Sequence, residues 1–192
     1  MPWLRNRLIL VNATSLFFSE DRKNMKAKIL LPILTMLLVA TPLLAQDGRG
    51  KAEATINGKS VSIDYGQPGW GGTDRLAGAP TGFVWRVGMN KATHITTAGD
   101  LVIAGKTLPA GTYTLWAKRT GENTWTLGFH PKTGGWGAPA LADGYVAELP
   151  MKMTKVSDSA EKLTIALADN KGKGALKIHW GPYVIAGDFG VK

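Results

Sequence analysis

The sequence predicts an all-β domain, an antiparallel β-sandwich or a flattened barrel, preceded by a helical signal peptide. Short runs of alternating apolar residues recur along residues 52–188, and glycine, proline or asparagine separates them at spacings typical of hairpins. No amphipathic helical period of useful length occurs after residue 46. The chain has 192 residues, and the part after residue 45 is long enough to bury one core.

Two hairpins are predicted on similar turn chemistry. They join residues 54–56 to 61–65, and residues 101–104 to 107–108. Asn57-Gly58 forms the first turn, because both residues tolerate a positive φ. Gly105-Lys106 is predicted to form the second turn.

The remaining strands are separated by loops of clear composition. Residues 66–82 are rich in glycine and proline and are predicted to form a loop. Further strands are predicted at residues 83–87, 93–97, 112–117, 125–129, 163–167, 175–180 and 183–186. Residues 135–160 have no clear strand pattern, and one helical turn is a possible element there.

A charged, apolar and small-residue order at residues 25–45 predicts a secretory signal peptide. Lys26 and Lys28 precede an apolar run that is shorter than the roughly 20 residues of a stable membrane span. We expect cleavage after Ala45, which would leave Gln46 first and place the domain in the periplasm or outside the cell. Membrane contact is then limited to the signal before cleavage, and a long signal or a single uncleaved anchor is the alternative.

The rest of the chain divides around this signal. Residues 1–24 include acidic side chains where a signal is normally positive, so we expect an upstream extension there and a start at Met25. Residues 46–51 are polar and contain glycine, which predicts a flexible lead. Residues 52–188 are predicted to form a single β domain.

Charge and cysteine content exclude several classes of function. The formal net charge is +9, but without residues 1–45 it falls to +5, and the basic residues are scattered. This pattern argues against nucleic acid as a partner. The chain has no cysteine, which excludes disulfides, a thiolate nucleophile and cysteine-ligated metal sites.

Three segments carry a resemblance to a known family. They are IDYGQP at residues 63–68, VWRVGMNKAT at residues 84–93 and GKTLPAGTYTL at residues 105–115. In this order they resemble an exported bacterial family, domain of unknown function 2911, over roughly residues 52–186. The resemblance implies a secreted or periplasmic β domain and supplies no reaction.

The chain also departs from the pattern of that family. Gln67 stands where relatives tend to have arginine, and Met89 where a small residue is usual. The loop at residues 69–79 lacks the usual basic and glycine arrangement, and Arg75 is the residue that can compensate.

Arg86 and Asn90 are the first candidates for ligand binding. The planar guanidinium of arginine can hold a carboxylate or phosphate, and an asparagine amide adds a donor and an acceptor. Tyr65 and Gln67 are candidates to line the opening of the same binding site. The structural alternative is an Arg86 that pairs with an acidic neighbour to hold a loop.

Trp70 and Trp136 are further candidates, with Trp180 in a similar context. Each of them precedes a glycine near a predicted loop or strand end. Exposed indoles at such places can stack on sugar rings or aromatic groups. The alternative is that they close the edge of the core.

No pattern for catalysis or metal binding stands out. His94, His130 and His179 are the only histidines, without His-x-His or His-Glu-x-x-His spacing, so no metal site or cofactor is predicted. A nucleophile elbow is also absent from the sequence.

These observations favour a non-catalytic, exported binding or envelope-associated domain. Its expected partner is a small molecule, a glycan or an envelope component. A small hydrolase-like enzyme with a site around Arg86 and Asn90 is one alternative. A purely structural envelope protein is the other.

Overall fold

The structure is a computed structural model that describes residues 48–134 and 144–192. In these ranges the chain forms ten strands: β1 (Arg49–Ile56), β2 (Lys59–Gly66), β3 (Val84–Trp85), β4 (His94–Thr97), β5 (Leu101–Ile103), β6 (Lys106–Leu108), β7 (Gly111–Arg119), β8 (Thr124–His130), β9 (Ala147–Asn170) and β10 (Lys173–Val191). The described part contains no helix, so the predicted all-β class is confirmed. In the same ranges, no helix long and apolar enough to span a membrane is found. The predicted signal peptide and the residues before it lie outside the described residues.

The strands form one antiparallel sheet that is not closed into a barrel. Its order is β1-β2-β4-β7-β8-β9-β10-β5-β6, and β3 pairs with β7 beside this path. Strand β1 also contacts β9 without pairing with it, so the sheet folds over a single apolar core. A β-sandwich and a flattened barrel were both predicted. The sheet does not close, so the open sandwich arrangement is the one observed.

The core follows the alternation of the strands. Val61, Ile63 and Tyr65 are buried on one face of β2, as their spacing predicts. The largest fully buried side chains include Trp125, Phe129 and ten aliphatic residues drawn from seven strands and the loop before β3.

Both predicted hairpins are present, and one turn is displaced by a residue. Asn57 and Gly58 have φ values of 48° and 75°, as a tight turn of this type requires. The second turn consists of Ala104 and Gly105, with φ values of 46° and 84°, and Lys106 already begins β6.

Strand β1 begins earlier than the composition of its first residues suggests. Arg49, Gly50 and Lys51 pair with residues of β2, although they belong to the segment predicted to be a flexible lead. Polar side chains are compatible with a strand here, since alternate positions of β1 face solvent.

The last two strands are much longer than predicted. Residues 147–160 belong to β9, so no helical turn lies there. β10 continues through Gly181 and Pro182, where the sequence suggested a break between two strands. The register with β9 shifts on both sides of Gly181, and Pro182 has no pairing partner in this irregularity. A bulge can accommodate proline because the ladder hydrogen bond is already interrupted there.

Candidate functional site

The described part of the chain contains an open cavity. It has a volume of about 280 Å³ and lies between the loop that follows β2, the turn after β3 and the bulge of β10. We call it the arginine pocket. Its lining consists of Pro68, Arg75, Leu76, Phe83, Trp85, Arg86, Gly88, Met89 and Trp180.

Arg86 reaches the pocket from the turn that follows β3. Strand β3 is fixed by its pairing with β7, and Arg86 is the next residue along the chain. Its Nη1 donates to the backbone oxygen of Asn90 at 3.4 Å. Asn90 has a φ of 59°, and the bond joins the two ends of the turn, so Asn90 positions Arg86 through its carbonyl.

The turn after β3 lies unusually close to the end of β2. A Cβ on Gly88 would lie 2.9 Å from Thr93 Oγ1, and a Cβ on Gly66 would overlap the backbone of Met89. Thr93 Oγ1 donates to the oxygen of Val87 at 2.9 Å. Glycine is required at both close approaches because any side chain would push the turn outward.

Arg75 reaches the pocket from a loop that Asp74 holds. Tyr183 donates its hydroxyl to Asp74 Oδ2 at 2.6 Å, which ties the loop to β10. Asp74 Oδ1 accepts from the backbone nitrogens of Leu76 at 3.2 Å and Ala77 at 2.9 Å. Asp74 therefore forms an Asx turn that fixes the backbone on both sides of Arg75.

The same contacts shift the ionisation of Asp74 and Tyr183. Burial acts to raise the pKa of Asp74, but the hydrogen bonds from Tyr183, Ala77 and Leu76 and the charge of Lys155 lower it below its ordinary value. The hydrogen bond to Asp74, followed by burial, raises the pKa of Tyr183. The pair is thus a phenol donating to a carboxylate at neutral pH.

Arg119 holds the other end of this loop from inside the protein. It is 7% exposed, and its Nη1 contacts the backbone oxygens of Leu76 at 3.1 Å, Ala77 at 2.7 Å and Ala79. Its Nε and Nη2 donate to the oxygens of Gly121 at 2.9 Å and Glu122 at 2.8 Å. A buried guanidinium thus links this loop (residues 74–79, the pocket loop) to the turn between β7 and β8.

Tryptophans form the apolar wall of the arginine pocket. The rings of Trp85 and Trp180 stack with centroids 5.5 Å apart and an interplanar angle of 12°. Trp180 Nε1 donates to the oxygen of Pro68 at 3.1 Å, so its polar atom is already occupied. Trp70 packs its ring edge-on to Trp180 at 5.2 Å and is only 8% exposed. Trp70 therefore supports the wall from the core side and does not line the cavity.

Neither arginine of the pocket has an acidic partner in the described ranges. The ion pairs found there within 4.0 Å are Arg49–Asp64 and Lys51–Glu53. The guanidinium groups of Arg75 and Arg86 thus have no carboxylate within that distance among these residues. Two such cations on one cavity create a positive potential that favours an anion.

The structure separates the other candidate residues from the pocket. Tyr65 is 3% exposed, and its hydroxyl lies 3.5 Å from the oxygen of Ile165, to which it donates. Gln67 Nε2 donates to the oxygen of Leu163 at 3.3 Å. Both side chains cover backbone oxygens of β9, and neither lines the arginine pocket. Trp136 lies outside the described residues, and among the described candidates Arg86 and Trp180 line the cavity.

The three histidines lie in separate local settings. His94 Nε2 accepts from the backbone nitrogen of Gly134 at 3.4 Å, and burial, followed by the charge of Arg49, lowers its pKa. His130 Nδ1 accepts from the nitrogen of Lys132 at 3.0 Å, and His179 Nε2 lies 3.3 Å from the oxygen of Asp158. Residues 48–134 and 144–192 contain no group of three side chains suited to hold a metal ion.

Comparison with known proteins gives one clear result. Neither the curated proteins nor the solved structures contain a match to this chain. A protein family described as a protein of unknown function, DUF2911, matches residues 48–188. This range covers all ten strands apart from the last residues of β10. Because the match covers most of the chain, the protein belongs to the DUF2911 family.

Proposed function

We propose that this protein is an exported, non-catalytic binding domain that takes a small anionic ligand in the arginine pocket. The observation that carries the proposal is that Arg75 and Arg86 line one cavity without a carboxylate partner in the described ranges. Arginine holds carboxylates and phosphates through two parallel hydrogen bonds. An anion would supply charged acceptors in addition to the Asn90 oxygen, to which Arg86 already donates.

The chemistry of the lining favours binding over hydrolysis. The lining residues include no serine, histidine, aspartate or glutamate, so none of them is an ordinary nucleophile or general base. The cavity is also small, since ligand pockets commonly occupy about 300–1,000 Å³ and this one has about 280 Å³. Both features fit a small ligand that is held and released unchanged.

Positioning of the Arg86 side chain and of the backbone that carries Arg75, before a ligand arrives, also supports binding. Asp74 and Arg119 hold the loop of Arg75, and the turn at Asn90 holds Arg86. A site that is already ordered loses less conformational entropy when it binds.

Titration with the fluorescent anion anilinonaphthalene sulfonate tests the binding proposal. Arg86→Met and Arg75→Met should each weaken binding by about tenfold, since a hydrogen bond to a charged group contributes about 1.5–3 kcal/mol. Lys106→Met is the matched control, because Lys106 is an exposed cation of β6 outside the pocket. Equal affinity of the Arg86→Met and Lys106→Met variants would contradict the proposal.

Export is tested by the N-terminus of the protein after expression in a bacterial host. The charged and apolar order of residues 25–45 leads us to expect a periplasmic or secreted product that begins at Gln46. Mass spectrometry of the intact protein from each cell fraction gives the cleavage point. A product that retains Met25 in the cytoplasmic fraction would contradict export.

A further inference from the structure

We infer that the ligand of the arginine pocket is a small aromatic anion, in which a planar ring carries a carboxylate or a similar group. This inference rests on the proposed function, because it assumes that Arg75 and Arg86 bind an anion. It adds the chemical nature of the rest of the ligand, which lies against the lining residues other than the two arginines.

Apart from the two arginines, the lining side chains are apolar. They belong to Pro68, Leu76, Phe83, Trp85, Met89 and Trp180, with Gly88 completing the wall. The indole N–H of Trp180 already donates to the backbone oxygen of Pro68. Beyond its anionic group, a ligand therefore meets mainly carbon and sulfur.

This lining disfavours a sugar as the ligand. Sugar hydroxyl groups need acceptors as well as donors, and the two arginines supply donors only. No lining side chain is an asparagine, glutamine, aspartate, glutamate, serine or threonine. Burying hydroxyl groups without hydrogen-bond partners is unfavourable. This cost offsets much of the binding free energy that an acidic sugar gains through its carboxylate.

The shape and exposure of the aromatic side chains favour a flat ring. Trp85 and Trp180 are nearly parallel at 12°, and both contribute to the same wall. Phe83 is 39% exposed, whereas most large apolar side chains in the described ranges are buried. A planar ligand can cover Phe83 while Met89 contacts the edge of its ring, an arrangement that sulfur favours. Guanidinium groups also stack on aromatic faces, which an aliphatic ring does not offer.

Calorimetric titration with four matched probes tests the inference on the purified protein. Naphthoate carries both the ring and the charge, naphthamide keeps the ring without the charge, and decalin carboxylate keeps the charge on a saturated ring. Galacturonate represents an acidic sugar. We expect naphthoate to bind about fivefold more tightly than decalin carboxylate, within the range that aromatic pairing adds to burial. Naphthamide and galacturonate should bind more weakly still.

Two variants locate the preference for the aromatic ring. Phe83→Leu should reduce the advantage of naphthoate over decalin carboxylate, because it replaces an exposed ring of the lining with an aliphatic chain. Val146→Leu is the control, since Val146 is exposed to a similar degree (41%) and lies outside the pocket. That variant should keep the full advantage.

The outcomes distinguish failure of this inference from failure of the proposed function. Equal affinities for naphthoate and decalin carboxylate, both weakened by Arg86→Met, would overturn the aromatic ligand and leave the anion site in place. Tighter binding of galacturonate would overturn it in favour of a sugar. Equal affinities for naphthoate and naphthamide, or no effect of Arg86→Met, would overturn the anion site and this inference together.

Discussion

At the scale of single residues, Arg119 holds the pocket loop through three of its backbone oxygens. Replacing it with methionine removes donors from the oxygens of Leu76, Ala77 and Ala79 and from the turn at residues 121–122. The hydrogen bond to Leu76 is buried and the others are partly buried; since a buried oxygen without a partner costs about 1–3 kcal/mol, we expect Arg119→Met to lower the free energy of unfolding by about 3 kcal/mol. Urea unfolding measures this loss.

Arg75→Met provides the contrast to Arg119→Met. Arg75 is exposed, so its replacement should leave the free energy of unfolding within about 0.5 kcal/mol while it weakens anion binding. Arg119→Met should weaken both stability and binding, because it loosens the loop that carries Arg75. If Arg119→Met left stability unchanged, Arg119 would not hold the loop.

The Asp74–Tyr183 pair predicts a pH dependence with a definite sign. The pKa of Asp74 is lowered from 3.8, so its contribution is present above that pH and is lost as the pH falls further. The pKa of Tyr183 is raised from 10.0, so its contribution is present below that pH and is lost at higher pH. The stability difference between wild type and Tyr183→Phe should be constant from about pH 5 to 9 and shrink towards pH 3. Urea unfolding at each pH measures it, and a difference unchanged at pH 3 would exclude the carboxylate as the partner.

Sequence reasoning reached some of these residues and missed others for a physical reason. The Trp-Arg-x-Gly-x-Asn stretch identified Arg86, because an arginine beside a turn glycine is a local pattern. Asp74 and Tyr183 are 109 residues apart, and Arg119 is about 40 residues from the loop that it holds. No local spacing marks such partners. Tyr65 and Gln67 were predicted to line the same site as Arg86, but their side chains donate to backbone oxygens of β9.

At the scale of elements, the bulge in β10 determines the position of the tryptophan wall. The buried side chains of β10 are at positions 176, 178 and 180 before the bulge and at 183 and 185 after it. The alternation of buried and exposed positions therefore shifts by one residue. Gly181 occupies the shift with a φ of 55°, and a Cβ there would overlap the ring of Trp70. The bulge thereby brings Trp180 and Tyr183 to the same side of the strand.

Gly181→Ala therefore combines two unfavourable effects. We expect it to lower the free energy of unfolding by about 3 kcal/mol, from the left-handed conformation and from overlap with Trp70. Gly172→Ala is the control, because Gly172 has a φ of 81° and its nearest contact is 4.0 Å away. That variant should cost about 1 kcal/mol. Equal losses in chemical denaturation would show that Trp70 does not press on the bulge.

Strands were predicted correctly where a local sequence pattern marks them. The hairpins were predictable because Asn57-Gly58 and Gly105 carry their own turn chemistry. The length of β9 was not predictable, because Pro150 and several lysines interrupt the apolar run that usually marks a strand. Its alternating buried residues Ala147, Leu149, Met151 and Met153 are a weaker signal of the same element.

At the scale of the whole molecule, distant parts of the chain meet at the hairpin of β5 and β6. Strand β5 pairs with β10 at Gly190 and Val191, and Lys192 donates its backbone nitrogen to Asp100. Asn57 Nδ2 donates to the oxygen of Val191 at 2.8 Å, so the first hairpin also depends on this contact. The order of strands could not be read from the sequence, since such pairings link residues about 90 apart.

Removal of residues 189–192 tests how much the stability of the domain depends on the pairing of β5 with the end of β10. Phe189 and Val191 are buried, and full burial of such a side chain contributes about 1.5–3 kcal/mol. The deletion also removes the β10 residues that pair with β5, while β6 still pairs with it; Leu101 and Ile103 of β5 are part of the core. We expect the free energy of unfolding to fall by at least about 4 kcal/mol, and the amides of β5 and β6 to lose protection from hydrogen exchange. Deletion of Lys192 alone is the control and should cost about 1 kcal/mol, the value of one hydrogen bond. Retention of protected amides in β5 and β6 after the longer deletion would mean that the hairpin is held by the core and not by β10.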